Sequence, residues 1–320
     1  MQYGTVRIYS GSASTDLASK IANYLDLPIS GHDVITFPND NFFIKLHGSA
    51  RGQDCYVIQT TSPPVHRNLM ELLITIQTLK LDSAGRITAV VPFLCYARSD
   101  KKDQPRVPIT ARLVADMIEV AGADRYMTMD LHAGQIQGFF SIPGDVLTAF
   151  HSLIDYTLKI KRNMHKPVVV TADLGFAKKA RNFAQALDTP LAFIEKRRSG
   201  NDSKSRALTV IGDVRNCDVI LVDDEVLTGG SICQAVNILK EHGARDVYVS
   251  FVHAGLTMEA AKLMSKLPVK EFIATDTIPI TQEMQSLFDG RFKVLSIANL
   301  LGEVILRANE GRSVGEMFNE

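Results

Sequence analysis

The sequence predicts an α/β protein of two domains, each a mostly parallel sheet with helices on both faces. Three observations carry this. Short runs rich in Val and Ile, bounded by Gly, Pro, Asp or Asn, alternate with amphipathic stretches along the chain. That alternation is how parallel sheets come to be covered on both faces. The chain has 320 residues, enough for two domains with separate cores. The rhythm breaks at TAFHSLIDYTLKIKRNMHKP, so the expected division is residues 1–148 and 149–320.

In chain order, strands are expected at VRIYS near 6, CYVIQT near 55, ITAVVPF near 87 and YMTMDL near 126. The second half adds PVVVTAD near 167, LAFIEK near 191, DVILVDD near 218, DVYVSFVHA near 246, EFIATDT near 271 and KVLSI near 293. Helical spacing of apolar residues marks Leu69–Lys80, Thr110–Ala121, Ala177–Leu187 and Ile232–His242. Each half holds a strand that ends in Asp and runs into a helix-entry loop, which suggests an internal duplication.

Composition narrows the function. Lys plus Arg and Asp plus Glu are each 35, so no net field draws the chain to nucleic acid or lipid. No apolar run approaches the length of a membrane span, and MQYGTVRIYSG lacks the basic-then-apolar pattern of a secretory signal. Cys55, Cys95, Cys217 and Cys233 have no C-x-x-C spacing and read as free thiols of a reducing compartment. A cytoplasmic protein is expected, without nucleic-acid or membrane partners.

The stretch Val219–Ile232, VILVDDEVLTGGSI, concentrates the chemistry. It reads as a strand over Val219–Val222, two carboxylates, a Thr-Gly-Gly-Ser turn and a helix from about Ile232. A Gly-rich turn entering a helix offers bare N–H groups and a positive dipole end to a phosphate. Asp223 and Asp224, one step earlier, suit ribose hydroxyls or a metal ion. A phosphate at one end and a diol at the other outline a ribose phosphate, although an ordinary Gly-rich helix cap would look similar.

Other loops follow strands in the same way. YARSDKKDQPR sets Arg98, Lys101, Lys102 and Arg106 among Asp100 and Asp103, a pattern for a polyphosphate or for a solvated loop. Asp130 and His132 stand at the end of YMTMDL, where a His can hold a metal or bond a phosphate oxygen. TADLG places Asp173 as a metal carboxylate or a helix cap. Phe37 and Asn39 in TFPNDN could stack on and bond a base edge, or could form a plain Pro-Asn-Asp turn. EKRRSGNDSKS, without an apolar anchor, reads as a mobile basic loop.

Taken together these residues resemble a family. VDDEVLTGGS is similar to the phosphoribosyl-pyrophosphate loop of type I phosphoribosyltransferases. The block from YARSDKKDQPR through MTMDLHAGQIQGFFSIPGDVLTA resembles ribose-phosphate pyrophosphokinases, and the likeness runs from RIYSGSASTDLA to ATDTIP. The resemblance implies two phosphoribosyltransferase-like domains, a homo-oligomer (a hexamer) and Mg²⁺ with ATP as co-substrate. It implies that Phe37, Asn39, Arg98, Ser99, Asp103 and His132 bind ATP, with His132 and Asp173 linked to the metal. Asp173, Asp223, Asp224, Thr228, Gly229, Gly230 and Ser231 fall on the ribose-phosphate segment, and Lys196 and Arg198 on the catalytic loop. The reaction implied is transfer of the β,γ-diphosphoryl group of ATP to the anomeric hydroxyl of ribose 5-phosphate.

The chain departs from the family pattern at several places. Phe37-Pro38-Asn39-Asp40-Asn41 stands for Phe-x-Asn-Gly-Glu, Ser99 for Gln, Leu227 for Asp and Ser231 for Thr. These changes admit a second acceptor, a ribose with a larger 5-substituent such as ADP-ribose. A catalytically silent regulatory homologue is a third expectation.

Overall fold

The computed structural model describes residues 3–198 and 206–318. The first of two compact units comprises Met1–Thr148 and Ser296–Glu320. Its elements are β1 (Val6–Ser10), α1 (Thr15–Tyr24), β2 (His32–Thr36), β3 (Phe42–Leu46), β4 (Asp54–Ile58) and α2 (Val65–Leu81), followed by β5 (Arg86–Val91), α3 (Thr110–Ala121), β6 (Arg125–Met129) and β7 (Gly144–Leu147). The second unit, Ala149–Leu295, carries α4 (Phe150–Lys161), β8 (Val168–Thr171), α5 (Ala177–Ala186), β9 (Leu191–Arg198), β10 (Arg206–Ile211) and β11 (Val219–Val226). It continues with α6 (Gly230–Glu241), β12 (Val247–Ala254), α7 (Met258–Met264), β13 (Glu271–Thr275), α8 (Gln282–Ser286) and β14 (Phe292–Leu295). Helix α9 (Ala298–Glu310) then returns to the first unit.

The first unit is organised on a five-stranded sheet in the order β1-β4-β5-β6-β7, parallel throughout. Every residue of β4 and β5 is buried, as expected of strands covered on both faces. Helix α2 lays Leu69, Leu72, Ile76 and Leu79 on the core, three or four residues apart, so one stripe is apolar. Strands β2 and β3 form a separate antiparallel pair. The second unit has seven strands in the order β10-β9-β8-β11-β12-β13-β14, parallel except for β10 against β9.

Several expectations are corrected. The second domain was expected to run to residue 320, but residues after 295 pack with the first unit. Leu301, Val304 and Ile305 of α9 are fully buried, and Gly302 allows such close approach that a Cβ there would meet the Tyr24 ring at 2.4 Å. The stretch at 148–166, where the apolar rhythm breaks, holds α4, which buries Phe150, Leu153 and Thr157. Thr157 satisfies its hydroxyl on the Leu153 carbonyl (2.7 Å), so a polar residue fills a core position of the helical repeat. The strand LAFIEK is longer than expected: Arg197 and Arg198, read as loop, also lie in β9, whose residues pair with β10 from Phe193↔Ile211 to Arg198↔Arg206.

A buried polar network ties α9 to the sheet. Arg86 grips Asp54 with two bonds (Nε–Oδ1 2.7 Å, Nη2–Oδ2 2.6 Å), and Asn309 Nδ2 donates to the same carboxylate at 2.8 Å. Arg86 also donates to the Ala308 carbonyl (3.1 Å), while its guanidinium lies 3.5 Å from the centroid of the Tyr3 ring. Burial first, and Asp54 next, push the Tyr56 hydroxyl far above its usual range, so it remains a donor to Asp54. Removing one member strands a charge in the core. Arg86→Met should lower unfolding stability by about 3–5 kcal/mol, and Asn309→Ala by about 1 kcal/mol, in urea unfolding followed by circular dichroism.

Candidate functional site

In the second unit the sheet order reverses between β8 and β11: the chain runs from β8 out to β9 and β10, then returns to the other side of β8. Ligands of open parallel sheets bind beyond the carboxyl ends of the strands at such a reversal. Asp173 follows β8, and Asp223 and Asp224 lie in β11, so the expected ribose-phosphate acids flank the reversal. The strand is longer than expected. It runs to Val226 instead of stopping at Val222, because Asp223, Glu225 and Val226 pair in register with Phe251, His253 and Ala254 of β12.

Embedding the acids in a strand has an electrostatic cost. Asp223 is half-buried and Asp224 buried. Burial, then the charge of Asp224, push the Asp223 carboxyl up to about 7, with Asp173 adding in the same direction. The Asp224 N–H donates to Asp223 Oδ1 at 2.9 Å and offsets part of this. Asp173 is exposed, and its Oδ1 accepts the Gly175 N–H (2.9 Å) in a tight turn. Asp224 and Asp173 thus both sit within electrostatic reach of Asp223, a setting that favours hydroxyl donors or a cation.

The expected phosphate loop follows at once. Helix α6 starts at Gly230, two residues earlier than expected, behind Gly229 at φ 72°. At this φ a side chain would be strained, and a Cβ at 229 would also lie 2.8 Å from Met264 Cγ. No side chain caps the helix, so its first N–H groups keep the anion-binding capacity of a helix N-terminus. Thr228 and Ser231 are exposed beside them, and Gly230 opens space, the nearest neighbour of an added Cβ being Thr228 Oγ1 at 3.9 Å.

Lys196 and Arg198 belong to β9, the other neighbour of β8. The last rung β9 shares with β8 is Thr171↔Phe193. Lys196 therefore stands three residues, roughly 10 Å, farther along the strand direction. The side chains of both cations, and residues 199–205 of the expected loop, lie outside the described residues.

In the first unit the expected nucleotide residues fall on three segments. Arg98 and Asp103 are exposed in the loop after β5, with Lys101, Lys102 and Arg106, whereas Asp100 is buried and accepts a bond from Gln135 Nε2. That bond draws the loop after β5 to the loop after β6. There Asp130, at φ 38°, accepts from the Thr148 hydroxyl (2.9 Å), and the turn presents an exposed His132. Ser99 faces α3: its Oγ lies 3.3 Å from the Thr110 N–H and its carbonyl accepts from Ala111 (3.1 Å). Phe37 and Asn39 sit at the tip of the β2–β3 hairpin, which Arg67 of α2 holds through Thr36 Oγ1 (3.2 Å). Phe37 is 47% exposed there, and Asn39 Oδ1 accepts the Asn41 N–H at 3.2 Å.

Glu225 and His253 belong to the same edge but carry no motif that marks them in the sequence. Both are buried register partners at the foot of the expected phosphate loop, and His253 Nδ1 lies 3.0 Å from Thr277 Oγ1. The available signal was polar residues interrupting apolar strands near their carboxyl ends.

The family model for the N-terminal domain of ribose phosphate pyrophosphokinase matches residues 6–122, and that for the phosphoribosyl synthetase-associated domain matches residues 200–319. The ribose-phosphate pyrophosphokinase of Caldanaerobacter subterraneus subsp. tengcongensis is 43% identical over 314 residues, 98% of each chain. The chain belongs to the ribose-phosphate pyrophosphokinase family. The Haemophilus influenzae pyrophosphokinase is 40% identical over 98% of this chain and 99% of its own. The crystal structure of phosphoribosylpyrophosphate synthetase from Mycobacterium smegmatis superposes with a TM-score of 0.90 at 40% identity, covering 96% of this chain and 99% of its own. As a pyrophosphokinase by family, this chain is a diphosphotransferase, and its α/β architecture is that of the family.

The raised Asp223 carboxyl makes stability depend on pH. An unfolded Asp sheds its proton near 3.8 and the folded one near 7, so folding is penalised increasingly as pH climbs through that window. In thermal melts without ligand, Asp223→Asn should exceed the parent at pH 8 by ~1–3 kcal/mol. The two should converge near pH 4, where both residues are uncharged.

Proposed function

We propose that this enzyme transfers the β,γ-diphosphoryl group of ATP to the anomeric hydroxyl of ribose 5-phosphate, giving phosphoribosyl pyrophosphate and AMP. The observation that carries this reading is the uncapped Thr228–Ser231 helix entry directly after Asp223 and Asp224, at the strand reversal of a chain matched along its whole length by ribose-phosphate pyrophosphokinases. The larger acceptor, ADP-ribose, is not favoured, since the full-length relatives bear the ribose-phosphate name. A silent homologue is not favoured either, because Lys196, Arg198, His132 and both aspartates are retained.

The first unit serves ATP. Phe37 offers a ring face to adenine and Asn39 an amide to its edge. Arg98 and His132 contact the polyphosphate, and Asp103 and Ser99 shape the loop that presents Arg98. In the second unit, Asp223 and Asp224 accept hydroxyls of ribose, while the amides of Gly229, Gly230 and Ser231 and the Thr228 hydroxyl hold the 5-phosphate. Lys196 and Arg198 neutralise charge on the transferring group, whose displacement needs in-line positioning more than covalent help from the protein.

The donor set is sparse, as Mg²⁺ requires. Among the described residues no group of three or more His, Cys, Asp or Glu is arranged to hold a metal. Mg²⁺ keeps several waters and takes one or two side chains plus substrate phosphates. His132 in the first unit, and Asp173 in the second through its second carboxylate oxygen, each suit that sparse demand, and such an ion would supply positive charge to phosphate oxygens.

Phosphorus NMR of enzyme with ATP, Mg²⁺ and ribose 5-phosphate should show AMP and a new sugar diphosphate; AMP released only with ADP-ribose would defeat the reading. Lys196→Ala should cut kcat by about 100-fold or more while leaving ATP affinity, measured by calorimetry, nearly unchanged. Equal losses in both would remove Lys196 from its role.

We also place the enzyme in the cytoplasm, a reading supported by four free cysteines, three of them buried. No helix among the described residues is long and apolar enough to cross a membrane. The oligomer implied by the family, a hexamer, finds support in the apolar face of α2 and α3. Leu113 is 55% and Val120 85% exposed beside Met70 and Met117. Such a patch marks an interaction surface. Leu113→Glu with Val120→Lys should lower the mass seen by light scattering; an unchanged mass would exclude this face.

A further inference from the structure

One side chain of the phosphate loop is left without a task by the reaction. Leu227 opens the loop and is half-buried. A Cβ placed on Gly255 would lie 2.4 Å from Leu227 Cδ2 and 3.6 Å from Ile278 Cδ1. The leucine methyl therefore rests against the bare α-carbon of residue 255, in space that any other side chain would occupy. Gly255 directly follows Ala254, which is the register partner of Val226. Leu227 is thus plugged into the end of the neighbouring strand, beside the buried Ile278.

The same loop is held again two residues later. The α-carbon of Gly229 packs on Met264 of α7, with an added Cβ only 2.8 Å from Met264 Cγ. Between these two apolar contacts stands Thr228, exposed and just before the uncapped entry to α6. A Gly-rich loop fixed at both ends before its ligand arrives loses little freedom on binding, and affinity rises accordingly.

We infer that Leu227 is a positioning residue for the acceptor, and that its seat on Gly255 holds Thr228 and the helix amides in the shape that receives the 5-phosphate. An uncharged anchor also places no carboxylate next to an anionic group. The inference rests on the assignment of residues 228–231 to the acceptor phosphate made above. Leu227 touches no reacting atom, so its effect belongs in acceptor binding and not in nucleotide binding or turnover.

Steady-state kinetics of the full chain test this with five variants. Leu227→Ala should raise KM for ribose 5-phosphate roughly tenfold, equivalent to about 1.4 kcal/mol, with KM for ATP and kcat nearly unchanged. Gly255→Ala should do the same, because its methyl displaces the leucine. The double variant should recover much of the loss, since the methyl at 255 fills the notch that the shortened side chain vacates. Leu227→Val, a smaller change, gives an intermediate KM and serves should Leu227→Ala not fold. Additive single effects, equal rises in both KM values, or no rise at all would overturn the inference. Thr228→Val separates the two layers. If it raises acceptor KM while Leu227→Ala does not, only the anchoring role fails; if neither does, the assignment of the loop to the phosphate fails as well.

Discussion

Parallel pairing is the constraint on which this molecule depends. When neighbouring strands run in the same direction, all their carboxyl ends reach the same edge of the sheet, and the loops that follow gather there. In the second unit this puts residues far apart in sequence side by side: Asp173 after β8, Asp223 in β11, His253 in β12 and the extension of β9 that carries Lys196. The reversal of strand order between β8 and β11 adds the second condition. The helices that follow these two strands leave in opposite directions, so the edge between them is open.

The acids at that edge show how function strains the fold. Carboxylates usually stay at the surface because burial disfavours their charge. Here Asp223 and Asp224 are built into a strand whose preceding residues, Val219 to Val222, are almost fully buried. The ligand-free protein meets this by pushing the Asp223 carboxyl up to about 7. On the function proposed above, a sugar diol donates hydrogen bonds to this pair of carboxylates. Rigid placement on a strand gives the site its accuracy, and the price is stability.

Much of this was legible in the sequence, for reasons that differ by element. Strands β4, β5, β8 and β12 are continuous apolar runs because both faces are covered, and such runs stand out. The Thr-Gly-Gly-Ser turn was legible because backbone geometry there demands glycine at 229. The β2–β3 hairpin was not, since its residues are mostly half-buried or exposed and include an Ile35 that faces solvent, so no clean alternation appears. Helix α4 was hidden by Thr157 in a core position, and the return of α9 depends on contacts with Tyr24 and Asp54 that no local pattern encodes. The buried Asp100–Gln135 bond was likewise invisible: in sequence Asp100 looks like one more charge in a charged loop.

On the assignments proposed above, the two units recognise phosphate in different ways, and the difference follows ligand charge. A single phosphate ester can be held by helix amides and hydroxyls, whose partial charges suffice when the groups are fixed in advance. The second unit has this form: a glycine-rich entry to α6, uncapped, with Leu227 and Gly229 seated on apolar neighbours. A triphosphate carries several adjacent charges, and partial charges alone leave most of them uncompensated. The loop after β5 in the first unit instead carries four full cations, Arg98, Lys101, Lys102 and Arg106, all exposed. Asp100 is withdrawn into the interior, leaving Asp103 as the exposed carboxylate within that segment. Burying one acid shifts the balance of the loop surface toward positive charge, and the same bond to Gln135 couples that surface to the turn presenting His132. Charge selection and loop positioning are thus achieved in the first unit by one buried contact.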